Sequence, residues 1–269
     1  MKSEIMKLRR ISLQSFREIR AGIHATPLYS HPSAFLWQKC LSFGNQFCEA
    51  VVGAGYLSWE QMLNASSRYC IGASKLGGVI FWQIDREGRV HDGKVMYYLP
   101  DCHRNKDRAA HPTWVSALLA RRNGNPRGTS SHCFFGLHLL PCTSDNGQWP
   151  LDNEDFSDGG RGVAIVEAEK SAFILSELYP QYVWLASGGL AEVQPEKFRP
   201  LRGCRVVMFP DTDPDGSAFR RWSEAAALVM RSVFWEDCPP IRVSPILELH
   251  ASPEQKLRKI DLVDFLFNQ

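Results

Sequence analysis

From residue 163 onward the chain alternates short apolar runs with stretches of helical spacing, and this alternation constrains its fold more than any other feature. Val163-Ala164-Ile165-Val166 reads as a buried strand, and Lys170 to Leu178 has helical spacing. Val183-Trp184-Leu185-Ala186 is a second strand, ending at Ser187-Gly188-Gly189. Cys204 to Pro210 is a third, followed by a helix from about Ser217 to Val233, and Ile241-Arg242-Val243 is a candidate fourth strand. Strands alternating with helices predict an α/β fold: a parallel sheet with helices on its faces and functional groups at the carboxyl ends of its strands. The last segment opens at Ser252-Pro253-Glu254-Gln255, with Ser as cap, Pro in the first turn and Gln three residues on. Leu257, Ile260, Val263 and Leu266 then have the spacing of one amphipathic closing helix.

Two of these strand ends run into carboxylates. Val166 is followed by Glu167 and Glu169, and Phe209-Pro210 by Asp211-Thr212-Asp213-Pro214-Asp215-Gly216. Acids at alternate positions after a strand point to one side of a crevice, which suits oxygen coordination of a hard divalent cation. Such ions serve phosphoryl and nucleotidyl transfer by neutralising the phosphate and aligning the attacking oxygen. The same Asp-rich run is also good turn chemistry, with Asp capping the helix that follows.

The front of the chain differs. Phe35, Leu36, Cys40, Phe43, Phe47, Val51 and Val52 recur at three- and four-residue spacing, and Trp59, Met62 and Leu63 follow, which predicts two or three helices. Residues 78–84 and 89–98, rich in β-branched and aromatic types, flank a Gly-containing turn and predict a β-hairpin. Trp114 to Leu119 is a short strand or helix inside a basic, Gly/Pro-rich stretch, and residues 143–160 hold almost no core-forming residues. The expected organisation is an N-terminal arm and helical cap over 1–75, a smaller basic α+β subdomain over 76–145, and the α/β domain over 146–269, with 146–160 as an acidic linker.

Net charge is only +2, but its distribution is uneven. Residues 1–143 carry 18 Lys and Arg against 9 Asp and Glu, residues 144–160 none against 5, and residues 161–269 carry 13 against 15. A basic front and an acidic back fit a polyanion-binding half joined to a cation-holding half; an uneven solvated surface fits as well. No run of eighteen apolar residues and no apolar leader follows Met1, so a cytoplasmic protein with no membrane partner is expected. The eight cysteines form no Cys-x-x-Cys pair and read as buried thiols, with a zinc site from Cys102-His103 and His132-Cys133 as the alternative.

The runs Val-Ala-Ile-Val-Glu167-Ala-Glu-Lys, Leu-Ala-Ser-Gly188-Gly189-Leu and Val-Val-Met-Phe-Pro-Asp211-Thr-Asp213-Pro-Asp215-Gly216 resemble the successive motifs of a Toprim domain. That domain is shared by bacterial replicative primases, topoisomerases and certain nucleases. The resemblance implies that Glu167 is the catalytic acid/base, or helps hold the metal, and that Asp211 and Asp213, with Asp215, hold Mg2+ (or Mn2+). The family has Gly directly after the Glu, where this chain has Ala168.

Upstream, Val79-Ile80-Phe81-Trp82-Gln83-Ile84-Asp85-Arg86-Glu87-Gly88-Arg89-Val90 and Cys133-Phe134-Phe135-Gly136-Leu137 are similar to the basic subdomain that precedes Toprim in bacterial primases. The chain thus resembles, over roughly residues 33–269, the primase-like Toprim proteins of bacterial mobile elements, without their N-terminal zinc-binding module. What this implies is DNA replication chemistry: divalent-metal-dependent nucleotidyl transfer on single-stranded DNA or RNA, with nucleoside triphosphates as substrates. A replicative helicase or another mobile-element replication protein is the implied partner. Arg89, Lys94, Arg104, Lys106 and Arg108 are the candidate nucleic-acid contacts, with Trp82 and Trp114 either stacking on bases or packed in the hairpin's core. A metal-dependent nuclease, or a nucleic-acid-binding accessory protein with a degenerate metal site, uses the same residues.

Overall fold

The computed structural model describes residues 44–123, 132–140, 162–234 and 238–267. They fall into two compact units that divide between Cys133 and Phe134. The N-terminal arm, the acidic linker and the expected boundary at 145/146 lie outside the described residues.

In the first unit, Asn45 opens α1 (Gln46–Gly53) by accepting the Cys48 amide at 3.1 Å. Ser58 and Gln61 form a capping box that opens α2 (Trp59–Arg68). Four antiparallel strands follow in the order β1 (Gly72–Ala73), β2 (Val79–Ile84), β3 (Val90–Met96) and β4 (Thr113–Trp114), and α3 (Val115–Asn123) leaves β4 directly. Every residue of β2 is buried because both of its faces are covered. Ile80, Trp82 and Ile84 pack with Cys70, Val90, Val95 and Val115 on one side. Phe81 meets Phe47 and Tyr98 on the other, at ring centroids 5.3 and 6.4 Å. Gly93 sits in β3 because the Trp82 indole lies against it: a Cβ there would come within 2.6 Å of the ring.

The second unit has β5 (Gly162–Val166), α4 (Glu169–Leu178), β6 (Tyr182–Ala186), β7 (Val206–Phe209), α5 (Ser217–Ser232) and β8 (Arg242–Val243). Three short helices close it: α6 (Ile246–His250), α7 (Pro253–Arg258) and α8 (Leu262–Leu266). Its four strands are parallel, in the spatial order β6-β5-β7-β8. From β5 the chain moves outward to β6, then crosses back to β7 on the other side. The switch in direction therefore lies between β5 and β7, where the crevice of an open α/β sheet forms beyond the strand ends. Phe135 bridges to Ala186 at the end of β6, exchanging hydrogen bonds of 3.0 and 3.1 Å.

One expectation needs correction. Leu257, Ile260, Val263 and Leu266 do not share the face of one closing helix, because Lys259 takes a left-handed conformation (φ 57°) that ends α7 and Asp261 opens α8 as a fresh cap. Ile260 and Val263 are buried, whereas Leu257 is 71% exposed. No helix among the described residues is long and apolar enough to cross a membrane.

A candidate carboxylate site at the strand ends

Val166 and Phe209 lie opposite each other in the β5–β7 pair. Glu167 follows the first directly and Asp211 follows the second by two residues, so both emerge at the same sheet edge, on either side of the switch point. Their charges interact. Burial pushes the Asp211 carboxyl well above the usual carboxylate range, and the neighbouring charges of Glu167, Asp261 and Asp264 push it further. The Lys170 ammonium opposes them.

Asp261 and Asp264 reach the site from the C-terminal segment. Asp261 caps α8 by accepting the Asp264 amide at 2.8 Å, and the Asp264 side chain faces back to the Asp261 amide. This cap docks on α4. Ser171 Oγ donates to Asp261 Oδ2 at 2.6 Å, and Lys170 Nζ lies 3.3 Å from Asp264 Oδ1 and 3.5 Å from Asp261 Oδ2. The reciprocal cap leaves a signature in the Asp-x-x-Asp spacing, but nothing local announces Lys170 or Ser171 as its partners, some 90 residues away.

Asp213 has a different task. Its Oδ1 accepts the Ser217 amide at 2.8 Å, and its Oδ2 accepts the Ser217 hydroxyl at 2.6 Å and the Ala218 amide at 2.9 Å. Burial raises its carboxyl, but these bonds outweigh burial and hold it below the usual range. It is the N-terminal cap of α5, whose own entry residue Gly216 has no side chain to offer. Truncating this cap, Asp213→Ala, is expected to destabilise the fold by about 2 kcal/mol, read as a lower urea midpoint. An unchanged midpoint would mean that the three bonds contribute nothing net. Asp215 is exposed; its Oδ1 lies 3.3 Å from the Ser217 amide and its backbone carbonyl accepts from Arg220.

Ala168, the departure from Gly, sits at φ −97° and ψ 142° as the cap position of α4. That is extended backbone open to any residue, so Ala imposes no strain there. No side chain caps α4, and its N-terminus begins directly behind Glu167. On the β6 side of β5, Gly188 donates its amide to the Glu167 carbonyl at 2.9 Å. Its φ of 90° favours glycine, and a Cβ would press to 3.3 Å from Glu169 Oε1.

The basic candidates lie in the first unit. Arg89 is engaged in the hairpin turn, with Asp85 at 2.6 Å and Glu87 at 2.7 Å, and His91 also meets Asp85 at 2.9 Å. Lys94 stands in β3 opposite Phe81 and Trp114, half-buried, while Arg104 and Lys106 are exposed. Arg108 begins a short 3-10 turn, Arg108–Ala110. Trp82 is wholly buried in the core and cannot stack on bases, whereas Trp114 is half-buried. Trp114 already stacks on His132, at a centroid distance of 4.0 Å.

Magnesium and manganese are not bound by dedicated cages; one or two carboxylates suffice, with water and substrate phosphates completing the shell. Glu167 and Asp211 fit that demand, because the crowding of negative charge that raises Asp211 is what a divalent cation relieves. Among the described residues no three His, Cys, Asp or Glu side chains converge as a metal cage, and the zinc alternative from Cys102, His103, His132 and Cys133 is not assembled. Cys48, Cys70, Cys102, Cys133 and Cys204 are buried thiols. Burial pushes Cys48 and Cys70 up to about 12, which leaves them without thiolate for nucleophilic work.

Residues 45–212, more than half of the chain, match the family described as a domain of unknown function, DUF6371. No curated protein matches the chain. Among solved structures, the primase fragment of the bacteriophage T7 primase-helicase protein is similar over 73% of this chain and 70% of that one, at 14% identity and a TM-score of 0.40. A likeness that loose carries no argument about activity.

Proposed function

The chain belongs to the DUF6371 family, and on that premise we propose that it is a Toprim-like, primase-like protein that acts on single-stranded DNA or RNA by divalent-metal-dependent nucleotidyl transfer. One observation carries the reading: Glu167 and Asp211 stand at the ends of adjacent parallel strands, across the switch point, close enough that their charges interact. Mg2+ or Mn2+ held by Asp211 would neutralise the phosphate undergoing transfer, while Glu167 beside it would take the proton of the attacking hydroxyl as pyrophosphate leaves. The N-terminus of α4 directs its amides and dipole to the same edge, where a triphosphate oxygen is stabilised. Arg104 and Lys106, exposed in the basic unit, supply the salt-dependent part of strand affinity, with Lys94 beside Trp114. A helicase or mobile-element replication protein is the partner that fits such an activity.

The engagement of Asp213 in capping α5 favours a second reading, an accessory protein whose metal site has lost part of its ligand set. One gel separates the two. Purified protein is incubated with single-stranded DNA, labelled ribo- and deoxynucleotides and Mg2+ or Mn2+, beside Glu167→Gln. Labelled products that vanish in the variant are expected for nucleotidyl transfer. Shortened template would move the site to phosphodiester hydrolysis, and no change to either strand would leave binding as the function.

A further inference from the structure

Resting on the metal-dependent reading of this site, we infer that the Lys170 ammonium is its resident second cation, so that the protein takes one divalent ion where a paired-ion transferase takes two. Two-ion sites place their metals about 3.5–4 Å apart and share carboxylates between them. Here the acids beyond the first pair are already engaged. Asp213 spends three hydrogen bonds on α5. Asp261 and Asp264 are turned to Lys170, whose Nζ lies between them at 3.5 and 3.3 Å.

The lysine is built in rather than draped over the surface. Its side chain is 10% exposed, it sits in the first turn of α4 three residues after Glu167, and α8 packs against α4 to bring the two aspartates to it. Ser171 holds Asp261 in place from the same turn. A fixed monovalent ammonium facing Asp211 offsets part of the site's negative charge and occupies the carboxylates that a second ion would need. Removing the ammonium while keeping the stem should release Asp261 and Asp264 as oxygen ligands.

The test counts ions, not turnover. Mn2+ bound per chain is measured on the full-length protein by the paramagnetic resonance of free Mn2+, for wild type, Lys170→Gln, Lys170→Met and Lys170→Arg, with circular dichroism to verify folding. The expected counts are one for wild type, two for the Gln and Met variants, and one for Arg, which keeps the charge. Two ions on wild type, or one on folded Gln and Met variants, would overturn the role given to Lys170 and leave the metal-dependent reading standing. No ion bound by any of the proteins would remove both. The wild-type count of two decides against the inference even where the variants do not fold.

Discussion

Asp211→Asn is expected to lower metal-dependent turnover by about 10²–10³-fold and, in the same molecule, to raise the unfolding temperature at neutral pH. The two effects have one cause. Asp211 is half-buried and faces Glu167, Asp261 and Asp264, so its charge is costly to keep in the folded state and useful only when a cation shares it. Its folded pKa is raised above the unfolded value of about 3.9. Between those two values the folded state binds more protons than the unfolded one, so stability falls as pH rises through the window. Below the unfolded value the penalty is absent; above the folded value it is complete. Asn removes it at neutral pH and removes the metal ligand with it. Calorimetry from pH 4 to 8, with and without Mn2+, checks this: Mn2+ should raise the wild-type midpoint at pH 7.5 and leave Asp211→Asn unmoved. Unchanged turnover in the variant would put the chemistry elsewhere, and a lower midpoint would mean that Asp211 holds the fold together.

Asp92→Ala should be the most damaging change in the first unit, at a cost of about 3 kcal/mol. Asp92 is fully buried in β3. Its Oδ1 accepts the Gly93 amide at 2.7 Å and the Ser116 amide at 3.0 Å, and its Oδ2 accepts the Ser116 hydroxyl at 2.5 Å. His132 Nε2 stands 3.8 Å away. It therefore caps α3 from a strand 24 residues earlier, and its loss strands the buried Gly93 donor on β3 and the part-buried Ser116 donors on α3. Burial raises the Asp92 carboxyl, but His132, Ser116 and the two amides outweigh burial and keep it below the usual range. For a lowered carboxylate the unfolded state binds more protons, so the stabilisation is present above the unfolded value and lost as pH falls through the folded one. Urea titrations of wild type and Asp92→Ala should differ widely at pH 7, and the gap between their midpoints should narrow as pH falls below the unfolded carboxylate value. Equal midpoints at pH 7 would show that water replaces the carboxylate without loss.

The parallel sheet was legible because its signal is local. Apolar runs of four or five residues with helical spacing between them announce buried strands and their crossovers, and β5, β6, β7 and β8 form where that pattern lies. The hairpin was legible for the same reason, since Asp85 and Gly88 carry turn chemistry between two β-rich runs: Asp85 accepts the Glu87 and Arg89 amides, and Gly88 takes a φ of 78°. Glu167 and Asp211 could be chosen as candidates because the first directly follows such a strand and the second follows one by two residues.

Whether an acid at a strand end faces the crevice or caps the next helix is not a local property. Asp211 and Asp213 are two residues apart in one motif, yet the charge of one interacts with Glu167 while the other closes α5, accepting the Ser217 and Ala218 amides at its start. Periodicity likewise joined α7 and α8 into one helix, and only the positive φ of Lys259 separates them. Strand identity, turn positions and the set of candidate acids after the strands, Glu167, Asp211, Asp213 and Asp215, were thus readable in the sequence itself, through hydrophobic period and backbone preference. The order β6-β5-β7-β8, the cap that Asp92 places on α3, and the meeting of Lys170 and Ser171 with Asp261 and Asp264 were decided by tertiary structure alone. Charges and hydrogen-bond donors act over a few ångströms of space, and chain distance does not report which of them packing will bring within that range.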